Sequence, residues 1–225
     1  MSSRVLLVVY RILSIFRIPG FMREKHYREN RVRLEQTDWD FWTMTNAYIE
    51  NQGEWGNIYF GLGKRQSMAY AGCEIMAAYN AGKALGAAGS KQDMAELIRS
   101  YEKRGAALFG KFGVAPTAIR NYFRGNGFSV ETADGENEPA VEAVGRKYAV
   151  MIATVINDKN DITKQIHTVC ITKRPDGSYV LHNAYYRDEN GRYRESVPYQ
   201  TLQEAVGHIS RWDPKLIYLI GIADK

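Results

Sequence analysis

Ile166-His167-Thr168-Val169-Cys170-Ile171-Thr172, then Pro175-Asp176-Gly177, then Tyr179-Val180-Leu181-His182-Asn183-Ala184, is the stretch from which the fold can be read. Two runs rich in β-branched and aromatic residues flank a Pro-Asp-Gly turn, the pattern of a β-hairpin. Side chains alternate along a strand, so His167, Val169 and Ile171 share one face, and Thr168 and Cys170 the other. By the same rule Tyr179, Leu181 and Asn183 lie together while His182 points away. Working outward, Tyr148 to Ile156 reads as a further strand, and Leu216 to Ile222 as a fully buried one. Thr201 and Glu204 suit a capping box for a helix running to Ser210.

Upstream of the hairpin the period changes from two to that of a helix. Ile75, Met76, Tyr79 and Leu85 recur at helical spacing and Gly86 and Gly89 end the run, which sets Cys73 at a helix start. Ser90 and Asp93 predict a capping box for a helix through Met94, Leu97, Ile98 and Tyr101. Pro116 opens a short helix that Gly125 to Gly127 closes. Thr37 to Glu50 reads as a helix, Gly53 to Gly63 as a loop leading to the site, and Ala133 to Gly145 as a surface loop joining the halves. Helices first and an antiparallel sheet second make an α+β layout.

Composition narrows the function. A chain of 225 residues with 45% hydrophobic content can bury one sizeable core. Its net charge of +5 is spread along the chain, with no zinc-finger spacing and no basic block interleaved with aromatics, so no nucleic-acid partner is expected. Cys73 and Cys170 are the two cysteines, too few for a disulfide framework, and the four histidines are scattered. No metal and no cofactor is expected, and a reducing, cytoplasmic compartment is the simplest setting.

Residues 1–50 are expected to form a basic, amphipathic helical extension, and residues 51–225 a catalytic-sized domain. Arg11 and Arg17 interrupt the first apolar run, so it falls short of the roughly 18 to 20 residues of a membrane span, and no secretory cleavage pattern follows. Wound as a helix, Ser3, Arg4, Arg11, Ser14 and Arg17 fall on one side, with Leu6, Val9, Leu13 and Phe16 elsewhere. Such a segment, within residues 3–22, docks on its own domain, on a partner protein, or on the inner face of a membrane.

The order Cys73, His167, Asn183 is that of nucleophile, base and orienter in thiol acyl chemistry. A helix N-terminus favours the thiolate, an imidazole takes the proton, and an amide can fix the imidazole's tautomer without carrying charge. Cys170, on a strand, is expected to be inert core. His182, facing away from Asn183, is expected to be a surface or packing residue, and His26 and His208 to have no catalytic part.

The run Gln66-Ser67-Met68-Ala69-Tyr70-Ala71-Gly72-Cys73-Glu74-Ile75-Met76-Ala77-Ala78-Tyr79-Asn80, the stretch from Gly113 to Val130 and the hairpin from His167 to Tyr185 together resemble the papain-like bacteriocin-processing, or double-glycine, peptidases and their stand-alone bacterial relatives. The resemblance covers about residues 55 to 225. It implies a papain-like cysteine protease fold, Cys73 as nucleophile, His167 as general base and acid, Asn183 as orienter, and Gln66 as oxyanion-hole donor. It also implies a peptide or protein substrate cleaved through a thioester at Cys73. Gln66 precedes Cys73 by seven residues, one more than usual in that family, and Glu74 stands where a glycine commonly follows the nucleophile. Transfer of the acyl group to an amine, and a catalytically inactive interaction module of the same fold, are the alternative expectations.

Overall fold

The computed structural model describes residues 2–44, 47–63, 66–160 and 166–225. It combines helices with a five-stranded sheet in which every neighbouring pair is antiparallel. The strands are β1 (Ser129–Asp134), β2 (Val150–Ile156), β3 (Ile166–Lys173), β4 (Tyr179–His182) and β7 (Lys215–Ala223), in the order β1-β7-β2-β3-β4. A separate two-stranded ribbon pairs β5 (Tyr186–Arg187) with β6 (Tyr193–Arg194).

The hairpin forms as the sequence indicates, with Cys170 opposite His182 and Lys173 opposite Tyr179. Asn183 lies just past the strand with φ 64°, a left-handed conformation that asparagine tolerates better than most residues. The strand therefore ends at His182, two residues short of the expected Ala184.

Both sheet faces are covered, which is why β2 is buried at every position and reads as a continuous apolar run. On one face α5 (Cys73–Ala84) sets Ile75 and Met76 in a core with Ile152, Cys170 and Ile220. On the other, α8 (Glu138–Lys147) and α9 (Leu202–Gly207) close over Val169, Ile171, Leu181 and Leu219. The stretch expected to be a surface loop, Ala133 to Gly145, instead contains the end of β1 and most of α8. Asn137 caps that helix by accepting from the Ala140 amide, and Val144 and Gly145 are buried.

The other helices are α1 (Ser3–Leu13), α2 (Gly20–Glu35), α3 (Asp40–Thr43), α4 (Met68–Ala71), α6 (Lys91–Lys103) and α7 (Pro116–Gly125). Ser90 and Asp93 form the reciprocal capping box at α6, and Pro116 opens α7. Thr201 accepts from the Glu204 amide, but α9 ends at Gly207, before Ser210.

Of the helix expected over Thr37 to Glu50, the described residues form only the single turn of α3. Tertiary bonding overrides its periodicity. Asn80, fully buried on α5, accepts from the Ile49 amide at 2.9 Å and donates to the Ile49 carbonyl at 2.9 Å, as a neighbouring strand would. Trp39, Phe41 and Trp42 pack around Trp55 of a 3-10 turn (Gln52–Trp55).

Residues 1–50 do not stand apart from the rest. Ile18, Leu34, Phe41 and Ile49 are buried in the same core as α5 and the sheet, and α2 packs along α6. The segment expected to be amphipathic docks on its own chain: the Ser3 hydroxyl reaches the Leu216 carbonyl, Arg4 pairs with Asp134, and Tyr10 is buried. Its outer side stays in solvent, with Val5, Val8, Ile12 and Ile15 each more than half exposed. No described helix is long and apolar enough to cross a membrane.

Candidate functional site

Cys73 is the first residue of α5, as the helical periodicity requires. Gly72 makes the sharp junction with α4 possible, since a Cβ there would meet the Met68 carbonyl oxygen at 2.5 Å. α5 packs on β3, and the amides of Thr168 and of Glu74 both lie where they favour a thiolate at Cys73. Thr168 follows His167 in β3, so it is the backbone beside the imidazole that reaches Cys73. Among the described residues no hydrogen bond joins Cys73 directly to His167.

His167 is buried, and its Nε2 lies 2.9 Å from the backbone carbonyl of Asn183. A carbonyl only accepts, so Nε2 carries the proton and Nδ1 keeps a free lone pair in the neutral ring. Burial holds the imidazole below its ordinary pKa, against the opposing pull of that bond, so it is neutral and basic at pH 7. Tyr185, also in the left-handed region with φ 59°, stacks its ring 5.5 Å from the His167 ring.

The expected orienter therefore acts through a different atom. The Asn183 side-chain oxygen accepts from the Gln52 backbone amide at 2.9 Å, while the Asn183 backbone N–H donates to Glu50 at 2.8 Å. Only the backbone carbonyl, presented by the left-handed turn, holds His167. Gln52 and Glu50 are contributors that the sequence reading missed. Gln52 Nε2 donates to the Ala69 carbonyl in α4, tying the turn at Asn183 to the helix ahead of Cys73. No spacing or periodicity in the chain marks either residue.

Gln66 is not brought to the thiol's cavity. It lines a neighbouring recess with Phe60, Leu62 and Gly110, which shares Tyr70 and Lys111 with the cavity at Cys73. The extra residue between Gln66 and Cys73 fits this displacement.

The thiol itself is buried, at 8% exposure, where a partly exposed, low-pKa group would be expected from helix-start placement alone. Burial and then the adjacent Glu74 carboxylate push the Cys73 thiol well above its ordinary value, outweighing the two amides. Glu74 is 1% exposed, and neither of its oxygens has a hydrogen bond of normal geometry. Burial lifts its pKa to about 7, although its own amide, the Cys73 thiol and the Val114 amide favour the charged form. Gly113, with φ 74°, makes room for it: a Cβ at 113 would stand 2.7 Å from Glu74 Oε2.

Cys73 and Glu74 open on a cavity of about 300 Å³ walled by Leu6, Tyr10 and Leu13 of α1 together with Ile156 and Ile166. Lys111 and Phe112, both exposed, stand at its rim.

Cys170 is fully buried and its thiol is raised by burial, as expected of inert core. His182 is a packing residue: its ring is buried against Tyr48 at 3.9 Å between Glu50 (2.8 Å) and Thr172 (2.9 Å). His26 is likewise buried, 2.7 Å from Glu102. Among the described residues no group of three His, Cys, Asp or Glu side chains is placed to hold a metal ion. Comparison of the chain with protein-family models, curated proteins and solved structures gave no match.

Proposed function

We propose that this protein is a cysteine-dependent acyl-transfer enzyme with a papain-like arrangement, acting on a peptide or other acyl donor through a thioester at Cys73. The observation that carries the reading is the His167 ring. Its Nε2–H is anchored on the Asn183 carbonyl, which leaves Nδ1 as the base, while the next residue's amide favours charge on the Cys73 sulfur.

Cys73 Sγ attacks the donor carbonyl as His167 takes the thiol proton, so that thiolate need not accumulate in the resting site. His167 then returns the proton to the leaving group, and the thioester remains on Cys73. The raised thiol pKa fits a nucleophile activated at the moment of attack, unlike a standing thiolate. With Gln66 outside the cavity that Cys73 lines, the Glu74 amide at the α5 N-terminus is the donor available to the oxyanion. Lacking one side-chain donor, such a site is expected to run on the order of 10² to 10³ slower than one that has it.

A peptide bearing a thiol-reactive electrophile tests the reading. Wild type should form a covalent adduct, Cys73→Ala should fold and form none, and His167→Ala should form it at least tenfold more slowly. Wild type and His167→Ala reacting alike, at the rate of free cysteine, would leave an interaction module instead.

A further inference from the structure

Four arginines converge on one cleft of about 640 Å³, formed where the end of α1 meets α6 and α7: Arg11, Arg17, Arg104 and Arg120 all line it. Among the described residues no Asp or Glu lines it, and the side chains of Arg11, Arg17 and Arg104 form no ion pair. Arg120 is held by a neutral partner, since Asn121 Oδ1 accepts from its Nε and its Nη2, each at 3.1 Å. An adjoining recess, which shares Ser100, is built differently: there Arg99 pairs with Glu24 at 2.8 Å and with Glu96 at 3.6 Å.

Gathering like charges without counter-ions is unfavourable, and a concave wall concentrates their field on whatever enters it. The carbonyl ends of α1 and α6 favour one cation each, Arg11 in the last turn and Arg104 at the cap, and leave Arg17 and Arg120 unaccounted for. Local geometry draws the cleft together. Gly105 has φ 122°, and a Cβ there would stand 2.5 Å from that of Ala118, so a glycine is what lets the end of α6 close on α7. Ala115 gives α7 no capping side chain, so the positive end of that helix adds to the arginines at Thr117. The mouth also carries hydrocarbon. Ile12 follows Arg11, and Ile15, 71% exposed, stands between Ser14 and Arg17, which both line the cleft.

We propose that this cleft binds the phosphate of an anionic membrane phospholipid, with the guanidiniums as its counter-ions and Ile12 and Ile15 against the acyl chains. Guanidinium forks match phosphate oxygens, and apolar side chains beside cations match the boundary between headgroups and acyl chains. The cleft shares no lining residue with the cavity at Cys73, and the binding does not rest on the thiol chemistry. One helix serves both, because Tyr10 and Leu13 wall the thiol's cavity while Arg11 and Ser14 line the cleft. A headgroup held there keeps the Cys73 cavity at the bilayer surface.

The test is sedimentation of the full chain with vesicles of phosphatidylcholine, alone or with one-fifth phosphatidic acid. Wild type should pellet with the second and not with the first. Arg17→Gln with Arg104→Gln, both exposed, should keep the melting temperature and bind at least tenfold more weakly. Arg17→Lys with Arg104→Lys keeps the charge and loses the forks, and should still bind several-fold more weakly. A lysine pair that binds like wild type means diffuse attraction and overturns the site, as does a wild type that fails to pellet. Calorimetric titration with glycerol phosphate separates the sources: saturable binding without pelleting would give the cleft to a soluble phosphate ester and overturn the lipid assignment. Adduct formation at Cys73, measured separately, decides the thiol chemistry on its own.

Discussion

At Cys73 the backbone amides oppose burial and the neighbouring carboxylate, and burial with the carboxylate wins. The α5 N-terminus and the Thr168 amide favour thiolate, but burial and Glu74 outweigh them. Replacing Glu74 by Gln removes the charge and keeps the shape, so iodoacetamide should alkylate Cys73 several-fold faster in Glu74→Gln than in wild type, with Cys170 untouched in both; peptide mass mapping reads the result. The same carboxyl makes stability depend on pH. Its folded pKa, about 7, lies above its ordinary 4.5, so its protonated form stabilises the fold fully below about pH 4.5, and that contribution is lost as pH rises through 7. The difference amounts to ~3 kcal/mol. Denaturant melts at pH 5 and pH 8 should show wild type losing stability relative to Glu74→Gln across that interval.

Asn183 offers a second residue-level test, because its backbone and side chain do separate work. Asn183→Gly keeps the left-handed turn and hence the carbonyl on His167, but strands the buried Gln52 amide. We expect it to cost about 1 to 3 kcal/mol in denaturant melts while leaving the His167-dependent adduct rate within a few-fold of wild type. A large loss of rate at retained stability would instead put the side chain in the orienting role.

At the scale of elements, α1 shows what periodicity can and cannot say. An amphipathic helix is evident from the spacing of Leu6, Val9 and Leu13, yet the same pattern serves a helix lying on a membrane or on its own protein. The docked side is fixed by Ser3, Arg4 and Tyr10 against β7, β1 and the cavity, which leaves Val5, Val8, Ile12 and Ile15 as an exposed apolar ridge beside Arg11. We propose that this ridge, not the docked side, meets an anionic membrane surface. Val8→Ser with Ile12→Ser should leave the melting temperature within a few degrees of wild type but abolish sedimentation with phosphatidylserine vesicles. Sedimentation unchanged by the pair would move the contact off this ridge, and no sedimentation of wild type would remove the membrane as a partner. The fate of Ile49 has the same origin: the helical spacing is real, but the Asn80 side chain takes both backbone groups of Ile49, and that pairing joins residues 31 apart.

For the whole molecule, the boundary expected at residue 50 is the instructive error. Ile18, Leu34, Phe41 and Ile49 complete the core under α5, each worth about 1.5 to 3 kcal/mol of burial, against a typical net stability of roughly 5 to 15. A protein beginning at residue 51 should therefore fail to give a cooperative thermal transition. The hairpin from β3 to β4, the start of α5 at Cys73, the α6 capping box and the buried strands β2 and β7 were determined by the sequence itself, because each follows from residues a few positions apart: alternation, turn chemistry, caps and continuous apolar runs. The association of Cys73 with His167 is legible only as an order of residue types, and it is the Thr168 backbone that reaches Cys73. The tertiary structure alone decided that Asn183 holds the imidazole by its carbonyl, that Glu50 and Gln52 brace that turn, that Gln66 lines a recess beside the cavity that Cys73 lines, and that Glu74 is buried against Gly113. These depend on contacts between residues far apart in the chain and on desolvation, and neither leaves a local pattern from which it can be read.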